Sequence, residues 1–419
     1  MNQRENGRQR GRAAAQAALQ QNLHNVMQRE FEMNLALFPS LGAGHDMAKG
    51  VLTYDQNALS CAPEIAKFPE TKGLTERALG EREGFIESSG FTLVHAAYYY
   101  SWVSYIWKHI NAHHVARYDL ASAPQQCTNV FFPEGKDGVT VSDNRDDLVF
   151  PWYHHVPKYR HWPTPEDYRP GWKQGGASSR ILLDEEPACP FPYQATEFIP
   201  EECGDDIRVL VQWMDERRDF WDAGNQIWID RHMNAVAVEK ANVRAAYRFP
   251  EKSGAVCVTA GSYLDPKLNS FKRSRLIEAA RRRGETEAES IDIKFSDDCD
   301  LRHARLWQLT NTEAARPEGA TLWGAFEIVS DTAVPFPARI CLAGEKTTPS
   351  EPNSNWTLSQ SASVVTGPSR RCLYRSVQDL KNPRSIIHET PKLVLGEGVQ
   401  MQPQWQQEIS AGKCALAPS

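Results

Sequence analysis

Apolar side chains first recur at helical spacing near the N-terminus. Ala14, Ala18, Leu19, Leu23, Val26, Met27, Phe31 and Leu35 follow at steps of three and four, which predicts an amphipathic helix over 13–37. Pro39 and the glycines of Leu41-Gly42-Ala43-Gly44 stop it. Ahead of it, residues 1–12 carry almost no apolar side chain and are expected to be disordered when free. Leu74 to Gly90 is charged and amphipathic, and an aromatic stretch then runs from Phe91 through His113 and His114, so 74–119 reads as mainly helical. Phe91–Trp107 is the longest weakly polar stretch. It is short for a membrane span, carries His95 and is rich in Tyr and Ser, so a buried helix is expected there.

Residues 120–200 differ, with many prolines, dense aromatics and little periodicity. Asn129–Phe132 and Arg180–Leu183 are candidate strands in a segment that otherwise reads as surface loop, interface or protruding lobe. Helical pattern returns at Asp205, with Ile207, Leu210, Val211, Met214 and Trp221 on one face. Gly224 interrupts it, and Ile227, Trp228, Met233, Ala237 and Val238 carry it on toward Tyr247. Ala255–Ala260, β-branched and bounded by Gly254 and Gly261, predicts a buried strand, and Thr321–Val329 a second one. Between them a basic helix is expected over 267–283, followed by an acidic run from Glu285 to Asp300. From Asp331 to Pro368 the chain is rich in Pro, Ser and Thr and reads as a long surface excursion, with the rest of the C-terminal region wrapping over another surface. The expected fold is mainly α with some β (α+β), a helix-rich body with a protruding proline- and aromatic-rich region. Its segments are 1–40, 41–120, 121–204, 205–330 and 331–419.

Composition adds size and an uneven charge. A 419-residue chain that is 41% hydrophobic and 10% aromatic can bury a large core in two or three lobes. The formal net charge is −6, yet residues 1–29 hold Arg4, Arg8, Arg10, Arg12 and Arg29 against the single acid Glu5. That is a basic tail on an acidic body. A second basic group, Lys272, Arg273, Arg275, Arg281, Arg282 and Arg283, lies partly along one side of its expected helix. Nucleic-acid phosphates would suit it without sequence preference. Alternatively it is a solvated helix paired with the acidic run 285–300. Nine cysteines (61, 127, 189, 203, 257, 299, 341, 372 and 414) never fall as C-x-x-C, so reduced and mostly buried thiols are expected. The polar, Arg-rich N-terminus has no export signal, and the protein is expected inside the cell.

Candidate chemistry is sparse. His109 and His113 stand four apart in an expected helix, with His114 beside them and His154, His155 and His161 further on. Such a pair can hold a metal, but it lacks the glutamate that zincins place next to the first histidine, and polar or interface histidines are the expected reading. Gly344-Glu345-Lys346-Thr347 has the wrong spacing for a P-loop, Gly42-x-Gly44 lacks the rest of a dinucleotide fingerprint, and no G-x-S-x-G is present. The acid pairs Asp205-Asp206 and Asp297-Asp298 suit helix starts and turns. No catalytic residue, metal ligand or cofactor is assigned on this pattern.

The arm Arg4–Arg12, the helix expected over 13–37 and the aromatic helix over 91–118 resemble the coat proteins of small double-stranded RNA viruses, most of all those of partitiviruses. That resemblance implies a non-enzymatic capsid protein that self-assembles from dimers into an icosahedral shell around an RNA genome, in the virion and the host cytoplasm. It implies a shell domain, a protruding domain, and an arm facing the genome and the viral polymerase, with no membrane partner. The RNA-contacting candidates are then Arg4, Arg8, Arg10, Arg12, Lys272, Arg273, Arg275, Arg281, Arg282 and Arg283. The near-neutral, acidic total suits a container inside which RNA moves better than a protein that coats it tightly. An RNA-coating nucleoprotein and, further off, a metal-dependent enzyme using the histidines are the alternatives.

Overall fold

The computed structural model describes residues 2–20, 76–90, 127–147, 172–178, 206–216, 224–230, 232–241, 244–250, 254–335, 337–341, 356–376 and 390–417. The expectations for 21–37, 91–119 and Arg180–Leu183, and those for the six histidines from His109 to His161, lie outside them.

In chain order the elements are α1 (Gln3–Gln20), α2 (Glu76–Ser89), β1 (Thr128–Phe132), β2 (Thr140–Asp147), β3 (Trp172–Ser178), α3 (Ile207–Glu216), β4 (Gly224–Ile229), β5 (Ala235–Ala241), β6 (Arg244–Arg248) and β7 (Val256–Thr259). They continue with α4 (Pro266–Arg282), α5 (Ile291–Ala314), α6 (Leu322–Val329), β8 (Trp356–Val364), β9 (Arg371–Ser376), β10 (Lys392–Leu395), α7 (Pro403–Ser410) and β11 (Ala415–Leu416). A seven-stranded sheet has the order β11-β10-β9-β8-β2-β1-β7, and a four-stranded sheet the order β3-β4-β5-β6. All neighbours are antiparallel except β10 and β11.

Alternation along the strands explains how the layers stack. In β1, Val130 and Phe132 point into a core shared with Leu306 of α5, Phe326 of α6 and Trp405 of α7. Phe131 points the other way and meets Ile227, Ile229 and Ala237 of the small sheet. In β7, Cys257 belongs to the helix side, Val256 and Val258 to the sheet side. The far face of the small sheet, with Trp228, Val236 and Val238, is covered by Ile207, Leu210 and Met214 of α3. The layers are therefore helices, large sheet, small sheet and helix. Helix α4 packs on β5, β6 and α5 through Leu268, Leu276 and Ala280. Each fully buried Phe or Leu in these cores contributes about 1.5–3 kcal/mol.

Five expectations are corrected. The body is a mixed α/β protein, 41% helical and 25% strand over the interpretable residues, rather than helix-rich. The segment expected to continue a helix from Ile227 to Tyr247 is the β4–β5–β6 meander. Both faces of β4 and β5 are buried, so apolar residues run consecutively and the two-residue period is hidden. Asp230 closes the first turn by accepting from the backbone N–H of His232 at 2.8 Å and of Asn234 at 2.9 Å. Conversely, Thr321–Val329 is helix α6 with its cap. It lies across β8, β2, β1 and β9, and most of its residues are buried, so it has no polar stripe. The hydroxyl of Thr321 accepts from Gly324 N–H at 2.9 Å, and Glu313 accepts from Thr321 N–H at 2.9 Å. A Cβ at Gly324 would displace the Glu313 carboxylate from the place where it accepts from Thr321.

The supposed surface excursion after Asp331 contains β8, an interior strand of the large sheet, and the segments after it add β9, β10 and β11 to that sheet. Strand β8 reads Trp-Thr-Leu-Ser-Gln-Ser-Ala-Ser-Val and escapes notice because its buried side chains include Ser359, Gln360, Ser361 and Ser363. The fifth correction is at the N-terminus, where the expected disordered arm is helical from Gln3.

The polar side chains in the interior are tied together. Asp146, fully buried just after a bulge in β2, pairs with Arg302 of α5, which is 1% exposed. Asp146 also accepts from Thr357 Oγ1 at 2.6 Å and from Asn144 Nδ2 at 2.9 Å. The six described cysteines (127, 257, 299, 341, 372 and 414) are free and buried. Among the described residues no helix is long and apolar enough to cross a membrane.

Removing one half of the Asp146–Arg302 pair strands the other half in a dry site. Arg302→Met is expected to destabilise the protein by about 3–5 kcal/mol in urea denaturation, and Arg302→Met combined with Asp146→Leu to recover most of that loss.

Candidate nucleic-acid interface

The arginines of the N-terminal arm stand on α1 at four-residue spacing (Arg4, Arg8, Arg12), and Gly7 and Gly11 are buried beside them. Helix α2 carries Glu76, Glu83 and Glu87 beside Gly80 and Gly84. A Cβ on Gly80 would overlap the Arg4 carbonyl oxygen, and one on Gly84 the Arg8 carbonyl oxygen. Both contacts advance together along the chain, so the two helices run parallel, and among the described elements each is the other's principal packing partner. Paired glycines let the backbones approach this closely.

That approach brings the charges into register. Arg4 pairs with Glu83 and, at 3.1 Å, with Glu76. Arg8 pairs with Glu83 at 2.7 Å, Glu87 at 3.4 Å and Glu5 at 3.1 Å. Arg12 pairs with Glu87 at 2.8 Å. The hydrogen bonds from Arg4, and then from Arg8, hold the Glu83 carboxyl below the usual carboxylate range. Glu83, accepting these hydrogen bonds, in turn raises the pKa of the Arg4 and Arg8 guanidinium groups. Arg10 falls on the same helix.

The second basic group, on and just after α4, is also compensated. Arg273 pairs with Asp297 at 2.7 Å and with Glu287 at 3.1 Å. Arg275 and Arg282 share Glu278, at 2.8 and 2.5 Å, and Arg283 holds Glu285 at 2.9 Å. The acidic run 285–300 thus supplies partners to the helix before it. Arg281 is exposed and makes no ion pair among the described residues. Lys272 does not belong to the outer face at all. It is 1% exposed, and its ammonium donates to Gly261 O at 3.0 Å and to Asp300 Oδ1 at 3.1 Å. Its place in the sequence run was a poor guide because α4 turns that position toward α5.

The Lys272–Asp300 bridge continues inward. Ser262 Oγ donates to Asp300 Oδ1 at 2.6 Å, and His303 Nδ1 lies 3.1 Å from Ser262 Oγ. With the hydroxyl proton committed to the carboxylate, Nδ1 carries the proton that closes the chain. Ser262 is 2% and His303 1% exposed. A nucleophilic serine hands its proton to the histidine. Here the serine donates to the aspartate, so the trio works as a strut between the turn after β7 and helix α5. Burial, ahead of the charges of Arg248 and Lys272, pushes His303 down to about 3. Among the described residues no group of three or more His, Cys, Asp or Glu is placed to hold a metal ion.

Sequence reading missed Glu76, Glu83 and Glu87 as partners of the arm. The signal was present as two G-x-x-x-G spacings, Gly7/Gly11 and Gly80/Gly84, each flanked by a charge ladder of opposite sign. Comparison with protein-family models and with curated protein sequences finds no match to this chain.

His303 is neutral when buried and binds a proton near its ordinary pKa once unfolded. Its depressed folded pKa therefore contributes stability above about pH 6.5, and that contribution is lost as pH falls toward about 3. Unfolding free energies from urea titrations across this window are expected to fall by up to about 1.4 kcal/mol per pH unit from this group, with a flatter acid limb in His303→Gln.

Proposed function

We propose that this chain is a self-assembling coat protein that encloses RNA, with the α1 arm turned toward the interior. The observation that carries the reading is the arm itself. It is an arginine-laddered N-terminal helix whose main packing partner among the described elements is another helix rather than either sheet, on a chain whose net charge is −6. An acidic wall with one small basic element holds few phosphates, which suits an RNA that must stay mobile inside a container. Such a shell would form in the host cytoplasm, with the viral RNA and polymerase inside it.

Lateral contact between copies also has a suitable surface. The outer side of α5 presents Leu301, 53% exposed, and Trp307, 41% exposed, together with Ala304, Gln308, Asn311 and Thr312. A stretch that carries an exposed Leu and Trp, with Arg305 as its charged group beside Gln308, fits a protein–protein contact better than it fits open solvent.

Size-exclusion chromatography with negative-stain microscopy tests the proposal. Closed particles of uniform diameter are expected from the purified full-length chain. A stable monomer or small oligomer across salt and pH would overturn it, and RNA binding by that monomer would point to a coating nucleoprotein instead.

A further inference from the structure

A guanidinium recognises a carboxylate and a phosphate through the same planar fork of N–H groups. On α2, Glu76, Glu83 and Glu87 take the forks of Arg4, Arg8 and Arg12, so this ladder is already engaged while α1 lies on α2. The groups involved remain partly exposed to water, with side-chain accessibility of 37% for Arg4, 31% for Arg8, 44% for Arg12 and 59% for Glu76. Ion pairs of that kind are weak and screened, and they exchange readily for another anion. Apolar anchoring is also slight, because between Gln3 and Ala18 the only apolar side chains of α1 are alanines.

We infer that α2 is an intramolecular stand-in for a nucleic-acid backbone, which stores the α1 arm closed and charge-neutralised until RNA phosphates displace Glu76, Glu83 and Glu87. The inference rests on the RNA-enclosing reading above and adds a control to it. A newly made subunit then carries no open arginine ladder from this arm with which to capture host RNA. A high local concentration of phosphates, as at the inner wall of a filling shell, opens it. The glycine contacts set the distance of the latch, and the charges set what can compete with it.

The test is fluorescence anisotropy of a labelled short polyuridylate titrated with the full-length protein. Two independent changes should open the latch. Glu76→Gln with Glu83→Gln and Glu87→Gln removes the competitor, and Gly80→Leu with Gly84→Leu evicts α1 by steric overlap while leaving the glutamates in place. Both are expected to tighten RNA binding by about tenfold or more, since binding improves as the fraction of open arm rises. Adding Arg4→Gln, Arg8→Gln and Arg12→Gln to either should abolish the gain.

A control triple, Glu216→Gln, Glu327→Gln and Glu397→Gln, removes the same charge from exposed positions away from the arm. No gain in either opening variant, or a gain from the glutamate variant that the control reproduces, overturns the latch. Microscopy of the same preparations separates the two ideas. Particles with unchanged RNA binding reject the latch alone, whereas tighter binding by the opened variants without any particles rejects the shell and keeps the latch.

Discussion

A sheet that is apolar on both faces has to be covered twice, and most of this fold follows from that requirement. Strands β1 and β7 expose apolar side chains alternately to either side, so neither face can meet water at an acceptable cost. Helices α5, α6 and α7 cover one face and the four-stranded sheet the other. The small sheet inherits the same problem, since Trp228, Val236 and Val238 point away from the large sheet, and α3 closes it. Burial fixes the order of the layers but says little about how one layer is turned against the next.

The polar bridges supply that orientation. Asp146–Arg302 ties β2 to α5, Lys272–Asp300 ties α4 to α5, and Glu313 joins the end of α5 to the start of α6. Arg371 of β9, lying over the Trp405 ring of α7, pairs with Asp137 in the turn after β1. Buried ion pairs add little net stability over well-packed apolar groups, but they penalise any arrangement that separates the partners. Ser262 and His303, which could be mistaken for chemistry in isolation, belong to the same system of struts.

Charge that can still be exchanged lies at the periphery, and there it is organised in helices. The arm and the outer side of α4 both carry arginines whose partners are nearby carboxylates. In the arm the partners come from a distant part of the chain, so their engagement depends on how two helices meet. On α4, Arg275 and Arg282 find Glu278 on the same helix, where the contact is local.

Local pattern was enough wherever an element has one covered side or clear boundaries. Ile207–Glu216 shows a single apolar stripe, Pro266–Arg282 starts at an Asp265 cap with proline behind it, and Val256–Thr259 is a β-branched run between glycines. These were legible in the sequence, as were Thr128–Phe132, the burial of the six described cysteines and the uneven charge. Tertiary structure decided the rest. Ile227–Ile229 and Leu322–Val329 are both nearly continuous apolar runs, and burial on all sides erases the period that tells strand from helix. Strand β8 is chosen by its neighbours β2 and β9, because its own serines favour no buried state. The arm is the clearest case: Arg4 finds Glu83 across 79 positions of sequence, and only the close packing of two glycine-bearing helices makes them neighbours. Composition and periodicity describe what a segment can bury, whereas which segments bury one another is settled when the layers meet.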